Sequence, residues 1–485
     1  MSFFIVIPAK AGIQSRRAQS PALDVRFRGH DGLCRDRMMP GRFTHYNADD
    51  PTQVEGMAEE QPGGAGEKPA SIPALAEAGG VTSYWRQTLW AMVAIQFVHT
   101  VANSMLTPIM PLFLPELGVT SDSAIDLWAG ILSGTTSFVA AFASPLWGSL
   151  ADRHGRKLML LRSSIAIALF TALMGVAGNV WQFFAFRALM GAFAGFSSAA
   201  IALVATQVPG GRLGYSLGML ATGQLVGSLI GPMVGGILAD MTGSYRIPFY
   251  ITAAMILLAM TLVWFIVRED FVRPQKGGAA RSTFTSLIAL ISTPALLALF
   301  FVLMMAQFGV RTVQPVVTLY VKEMVGIRPD IATLAGIAFS ITGLANVISA
   351  PFLGNRSDRI GYRRVLLICL AGGVLMTLPQ AFTANYWLFT AERFGVGLFI
   401  GGLLPTANAL VGRLVARADR GAVYGMTSSA MFMGNSLGPL MGGAVAASFG
   451  LSWVFLLTAA VMAMNLVWVY YRVPEFQPGE ELEPR

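Results

Sequence analysis

Charge is what this chain has least of. Only 12% of its 485 residues are Asp, Glu, Lys or Arg, where a soluble domain carries about a quarter. Cysteine is nearly absent: Cys34 and Cys369 are the whole supply, too few and too far apart for a disulfide framework or a zinc site. Cys369 reads as a small apolar filler of a helix. Enzyme signatures are missing too, apart from Gly434-Asn435-Ser436-Leu437-Gly438. That run matches a nucleophile elbow, which needs a strand-to-helix turn. Here it sits inside a long apolar run, so neither an enzyme, a metal nor a cofactor is expected.

Apolar residues fill the space that charge leaves. They make up 54% of the chain and come in runs of about 20 residues or more, the length of a membrane-crossing helix. Twelve such runs stand at roughly 88–114, 127–147, 159–178, 180–206, 214–240, 248–267, 295–320, 331–353, 365–383, 386–412, 421–447 and 451–471. The expected fold class is all-α, with twelve transmembrane helices in two pseudo-symmetric six-helix bundles at 84–267 and 295–472. Between them, 268–294 reads as a linker, and 473–485 as a short acidic tail. Residues 1–83 read as a disordered tail, with 1–56 a misassigned start and Met57 the expected first residue; N-terminal sequencing of the native chain checks this.

The six-plus-six division rests on a repeat. The polar turn Gly148-x3-Asp152-Arg153-x-Gly155-Arg156-Lys157 joins two uncharged runs. It returns as Gly354-x3-Asp358-Arg359-x-Gly361, followed by Arg363 and Arg364, at an offset of 206 (354 − 148). Pro145 and Pro351, Asn179 and Asn385, Arg187 and Arg393, and Gly191 and Gly397 share that offset. At 207 (434 − 227), Gly227, Gly231, Pro232, Gly235 and Gly236 match Gly434, Gly438, Pro439, Gly442 and Gly443. Rare residues agreeing at one spacing are the mark of an internal duplication.

The net charge of +8 is topological. Loops on the side of the 148–157 turn hold 16 Lys and Arg and the opposite loops 3 (Arg246, Lys322, Arg328). The positive side faces the cytoplasm, so both termini are expected there. Nucleic acid is not an expected partner.

A few residues carry mechanism. Gly223, Gly227, Gly231 and Gly235 recur every fourth position and form a bare stripe for close helix approach. Pro232 within it removes a backbone donor and is expected to bend the helix; Gly434, Gly438, Pro439 and Gly442 repeat the device. Packing alone is the plainer reading. Arg187 and Arg393 are charges embedded in apolar runs, where they need a partner, a wet cavity or neighbouring carbonyls. Glu392 is the one acid well inside a run, and Arg311 stands at similar depth in the same half. The two are expected to pair or to share an aqueous cavity, with Glu392 loading and releasing a proton; a static ion pair is the alternative. Gln96, His99 and Asn103 lie within two helical turns of each other, and His99 could titrate near neutrality or be a satisfied interior residue. Gln307, Gln314 and Asn346, with Phe308 and Phe394, complete the candidate cavity.

The 148–157 turn, the run Phe184-x2-Arg187-x2-Met190-Gly191 and the stretch 227–236 together resemble the major facilitator superfamily, the last resembling its drug:proton antiporters. The resemblance covers about 85–472. It implies a multidrug exporter whose midplane site opens to each side in turn as the halves rock. It also implies a cavity ringed by spans one, four, seven and ten. The turns become a conformational latch: Gly148, Asp152, Arg153, Gly155 and Arg156, with Gly354, Asp358, Arg359 and Gly361. Unlike some drug antiporters, this chain has no acid in its first span, so proton coupling falls to Glu392 and His99. Proton-coupled efflux of small amphipathic drugs across a bacterial inner membrane is the leading reading. The expected partners are a small molecule, protons and the lipid bilayer, with the chain a monomer. The alternatives are transport of a metabolite or organic anion, and a non-transporting membrane sensor or scaffold.

Overall fold

The computed structural model describes residues 81–208, 212–267, 269, 294–414 and 420–475. The expected N-terminal tail up to residue 80, nearly all of the 268–294 linker and residues 476–485 lie outside them. Among the described residues every regular element is helical. Twelve helical spans follow one another: α1 (Val81–Met105, continued by Met110–Phe113), α2 (Asp122–His154), α3 (Arg156–Gly175), α4 (Val180–Ala192 and Phe196–Gln207), α5 (Leu213–Thr242), α6 (Ile247–Ile266), α7 (Pro294–Thr312 and Gln314–Val325), α8 (Ile331–Ile360), α9 (Tyr362–Thr377), α10 (Tyr386–Ile400 and Leu403–Leu414), α11 (Arg420–Phe449) and α12 (Leu451–Arg472). Ten have the length and apolarity of a membrane span, and bent α1 makes an eleventh. The twelfth, α11, has 30 residues, about 45 Å at 1.5 Å per residue. Large apolar side chains such as Phe142, Trp181, Phe265, Phe352 and Trp387 are exposed. That is the surface a lipid-embedded protein needs, because backbone polarity is satisfied inside each helix. This is a multi-pass membrane protein.

The local rules repeat at the sequence offset. Gly155 (φ 93°) and Gly361 (φ 98°) turn α2 into α3 and α8 into α9. The positive φ is open to glycine without Cβ strain. Asn179 caps α4 by accepting the Gln182 N–H at 2.9 Å. Asn385 caps α10 by accepting from Trp387 N and Leu388 N at 2.9 and 3.2 Å. In each case a side-chain oxygen satisfies a donor that the first turn leaves free.

Packing repeats as well. In the first half α1 packs on α5 and α6, α2 on α4, and α3 on α4 and α6; in the second, α7 packs on α11 and α12, α8 on α10, and α9 on α10 and α12. Phe183 and Phe249 meet edge-on at 5.7 Å, and their counterparts Phe389 and Phe455 at 5.8 Å. The first half has one continuous apolar core. The second has two, one around Leu366, Cys369 and Leu410 and one around Tyr320, Phe389 and Phe455. Cys369 is the buried filler its surroundings suggested.

Most of the contact between the halves runs through two helix pairs, α5 with α8 and α2 with α11, and the outer piece of α7 (Gln314–Val325) adds contacts with α2 and with the outer piece of α1. The glycine stripes place α5 and α11 between two neighbours each. A Cβ on Gly227 would lie 2.9 Å from the Phe97 carbonyl of α1, and one on Gly231 2.7 Å from that of Val101. Gly235 faces Met105, and Gly434, Gly438 and Gly442 face α7 in the same way. One step round, the contacts cross to the other half. A Cβ on Gly130 of α2 would lie 2.5 Å from the Pro439 carbonyl and 2.7 Å from Gly443 Cα. On α8, Gly336 meets the Pro232 carbonyl, and Gly236 of α5 meets Ala332. The stripes therefore do pack closely. The α5 helix runs unbroken through Pro232, and α11 through Pro439.

This seam lies toward the face opposite the 148–157 turn. There the outer pieces of α1 (Met110–Phe113) and α7 (Gln314–Val325) also meet. Toward the turn-bearing face, the segments Phe196–Gln207 of α4 and Leu403–Leu414 of α10 pack within their own halves.

Candidate functional site

Four spans are interrupted: α1, α4, α7 and α10. The breaks obey the repeat. That of α1 near Thr107 matches that of α7 at Val313, and that of α4 near Gly195 matches that of α10 at Gly401. Non-helical backbone at membrane depth persists where protein buries it or where it borders a cavity. In α4 the freed carbonyls have donors. Trp147 Nε1 donates to the Ala192 carbonyl at 2.6 Å, and Arg162 Nη2 reaches those of Phe193 and Ala194 at 3.4 Å. The Arg162 guanidinium also stacks 3.2 Å over the Trp147 ring.

The first-half candidates gather at this break. The buried His99 ring lies flat on Phe196, 3.8 Å between centroids and 10° between planes. Asn103 Nδ2 stands 3.3 Å from His99 Nδ1 and donates to the His99 carbonyl at 2.9 Å. Gln96 Nε2 donates to Thr100 and to Ser197 of α4, each at 3.3 Å, and its buried Oε1 has no partner. His99 thus joins α1 to α4 by stacking. Arg187 is separate from this group and points Nη2 at the Met110 sulfur, 2.7 Å away.

The second-half candidates divide into three places. Arg311 donates through Nε to Asn435 Oδ1 at 3.0 Å and through Nη1 to Gln314 Oε1 at 2.8 Å, a bridge between α7 and α11. Gln307, one turn earlier, points Nε2 at the Met431 sulfur at 3.8 Å. Asn346 and Arg393 border a cavity inside the half. The expected Arg311–Glu392 pair is not formed. Glu392 accepts the Thr383 hydroxyl at 2.9 and 3.0 Å through its two oxygens, at the start of α10. Although 311 and 392 lie at similar depth, Glu392 is on the side of α10 that faces the end of α9. Phe308 and Phe394 are half-buried.

The turn-bearing face holds contacts that the sequence reading missed. Glu269, just past α6, accepts the Arg156 and Lys157 backbone N–H groups at 2.8 and 2.7 Å, capping α3. Its counterpart at offset 206, Glu475 (475 − 269), instead holds the Arg364 side chain at 2.9 Å and that of Arg363 at 3.5 Å. Lys157 donates to the Trp264 carbonyl at 2.9 Å, and Arg363 donates to that of Tyr470, the matching position. The side chains of Asp152 and Arg153, and Gly148, lie outside what the structure describes. In the second turn Asp358 accepts from the Tyr362 hydroxyl, Arg359 is exposed, and Gly354 lies near Pro405.

On the opposite face one carboxylate crosses between halves. Asp240, at the end of α5, accepts from Ala332 N at 3.3 Å and Thr333 N at 2.7 Å. It caps α8, whose own N-cap Asp330 makes no side-chain cap bond. Beside it Glu116 and Arg246 form an ion pair at 3.3 Å. The repeat offered no pointer to Asp240, since its counterpart is Ala447. Asn435 and Thr383 were likewise hidden, because their importance depends on which helix lies opposite.

Paired six-helix bundles, four broken spans and a seam closed on one face define a membrane transporter rather than an enzyme; the Ser436 of the elbow-like run is buried within α11. Residues 92–328 and 299–484 each match the Major Facilitator Superfamily, and the chain belongs to that superfamily. It is 38% identical to the multidrug resistance protein MdtG of Proteus mirabilis (strain HI4320) over 81% of this chain and 97% of that one. It is 40% identical to the MdtG of Serratia proteamaculans (strain 568) over 80% and 94%. Among solved structures, a D-xylose-proton symporter shares the fold at TM-score 0.68 and 15% identity, covering 81% of this chain and 99% of that one. A bacterial homologue of the human lysosomal transporter Spinster, in an inward-facing occupied conformation, does so at TM-score 0.64 and 15% identity, covering 80% and 96%.

Proposed function

We propose that this protein exports small amphipathic drugs across the bacterial inner membrane in exchange for protons, acting as a monomer with both termini in the cytoplasm. The observation that carries the reading is the set of four interrupted spans, with polar side chains at or near the breaks of α1, α4 and α7, in a chain 38–40% identical to MdtG proteins. The turn-bearing face, with its excess of Lys and Arg, is the cytoplasmic one. The seam is then the outer gate, closed, and the molecule faces inward. Substrate enters from the cytoplasm between the halves, against α1, α4, α7 and α10. Gln96 and Asn103 supply hydrogen bonds on one side, and Gln307, Arg311 and Gln314 on the other. Rocking the halves opens the seam and brings the 148–157 and 354–364 turns against the opposite half. Asp152 and Asp358 are the charges suited to hold that state.

The proton is assigned to Glu392, which is close to the outer face and tied there by a hydroxyl alone. Everted vesicles containing the protein should take up a cationic dye when a pH gradient is imposed, and lose the signal when it is collapsed. Uptake that ignores the gradient rejects exchange; uptake restricted to organic anions rejects a drug exporter. Substrate-induced proton release should disappear in Glu392→Gln, and unchanged release removes Glu392 from that role.

A further inference from the structure

Arg393 is half-buried and has no counter-charge among the described residues. Its guanidinium makes no hydrogen bond and no ion pair with any described residue, and its buried Nε has no partner. The adjacent carboxylate, Glu392, is engaged by Thr383 on another side of α10. Among the described residues the attraction it has is weak: the Phe339 ring, 5.9 Å from the guanidinium carbon. Arginine does not shed its proton inside proteins, so it cannot escape the cost by neutralising itself. A buried donor left without an acceptor is unfavourable, and an acceptor in reach of Nε would relieve it.

Arg393 opens onto a cavity of about 60 Å³ inside the second half. Around it stand Thr342 and Asn346 of α8, Thr377 and Gln380 at the end of α9, and Thr458 of α12. The Gln380 amide and the Thr342 and Thr458 hydroxyls donate to backbone carbonyls. Asn346 is different, because its buried Oδ1 accepts nothing. Turning that amide over would aim its N–H at the place the orphaned oxygen occupies. A cation with an unpartnered Nε and an amide with an idle end therefore border one chamber, whose remaining lining is largely apolar. A water needs about 10–15 Å³ of such space and a drug-sized ligand about 300 Å³. The chamber holds a small ion with water, and no drug.

We propose that this chamber binds one small monovalent inorganic anion, of the chloride class, which neutralises Arg393. The chamber is also bordered by Gly309, Val310 and Val313 of α7 and by Val396 and Ile400 of α10, two of the spans that the proposed function sets along the substrate path, and the anion is taken as separate from the exported drug. Arg187, at the matching position of the first half, also has a buried, unpartnered Nε but turns Nη2 to the Met110 sulfur.

The test is equilibrium binding of radiolabelled chloride to the purified full-length protein in detergent, with gluconate holding the ionic strength constant. Saturable binding near one ion per chain is expected, displaced by bromide but not by gluconate. Arg393→Gln should weaken it at least tenfold, while Arg393→Lys, which keeps the charge, should retain it. Asn346→Leu, which keeps Arg393 and fills the chamber, should also weaken it, and serves if Arg393→Gln does not fold. Formate and acetate as competitors distinguish a halide site from one for a substrate's carboxylate. Failure of the wild type to bind chloride saturably overturns the proposal. Equal binding by the wild type, Arg393→Gln and Asn346→Leu does so as well.

Discussion

Asp240→Asn is the sharpest perturbation of the gate. In the wild type the carboxylate accepts the Ala332 and Thr333 N–H groups across the seam, at the positive end of the α8 dipole. Hydrogen bonds with an ionised partner contribute about 1.5–3 kcal/mol, neutral ones about half as much. Asparagine keeps one acceptor oxygen, loses the other and loses the charge. The closed seam should thus be destabilised by about 1–2 kcal/mol, a factor of about 5–30 in population. The contacts at Gly130, Gly236, Gly336 and Gly443 remain, so opening is partial. Spin labels at Ser121, where α2 starts, and at the fully exposed Ile327, before α8, report the separation of the halves on this face. Cys34 and Cys369 are first replaced by Ala. The distance distribution of Asp240→Asn should gain a longer component that Asp240→Glu does not show. A distribution identical to the parent's, in a protein whose Gly130→Leu variant does shift, refutes the claim that this cap holds the gate.

The seam glycines give a second expectation. Gly130→Ala and Gly336→Ala each force a methyl against backbone on the facing helix, an overpacking of about 1–3 kcal/mol, so the same labels should move apart and transport should fall. The paired acids give a third. Glu269→Gln leaves one acceptor of a two-point cap on α3, loses its charge, and should lower stability by about 1 kcal/mol, measured by thermal unfolding in detergent. Glu475→Gln disturbs a solvent-facing ion pair and should change it little. Asn435→Leu should strand the Arg311 Nε and abolish export while leaving membrane insertion intact; vesicle uptake checks it, and wild-type uptake would show that the Arg311–Asn435 bond is dispensable.

The glycine–proline stripes were legible as close-packing surfaces, because a helix fixes which residues share a face. Their two-sided use was not. Gly231 touches α1 and Gly236 touches α8, and only the bundle decides which neighbour each face receives. Burial alone misplaced Glu392. Depth along a helix follows from counting residues, but direction around it follows from packing, and Glu392 turned toward Thr383 rather than Arg311. His99 was visible as a polar residue in an apolar run, whereas its stacking on Phe196 depends on how α4 breaks.

The sequence by itself determined the membrane class, the twelve spans, the duplication and the positions of the turns and caps. Those depend on hydrophobicity, on helix length and on which residues tolerate a positive φ, and all three are local. Tertiary structure decided which face of the seam is closed, which carboxylate caps which helix, and which arginine is left without a partner. Those depend on what lies across a gap, and a chain written in one dimension does not record its neighbours in three.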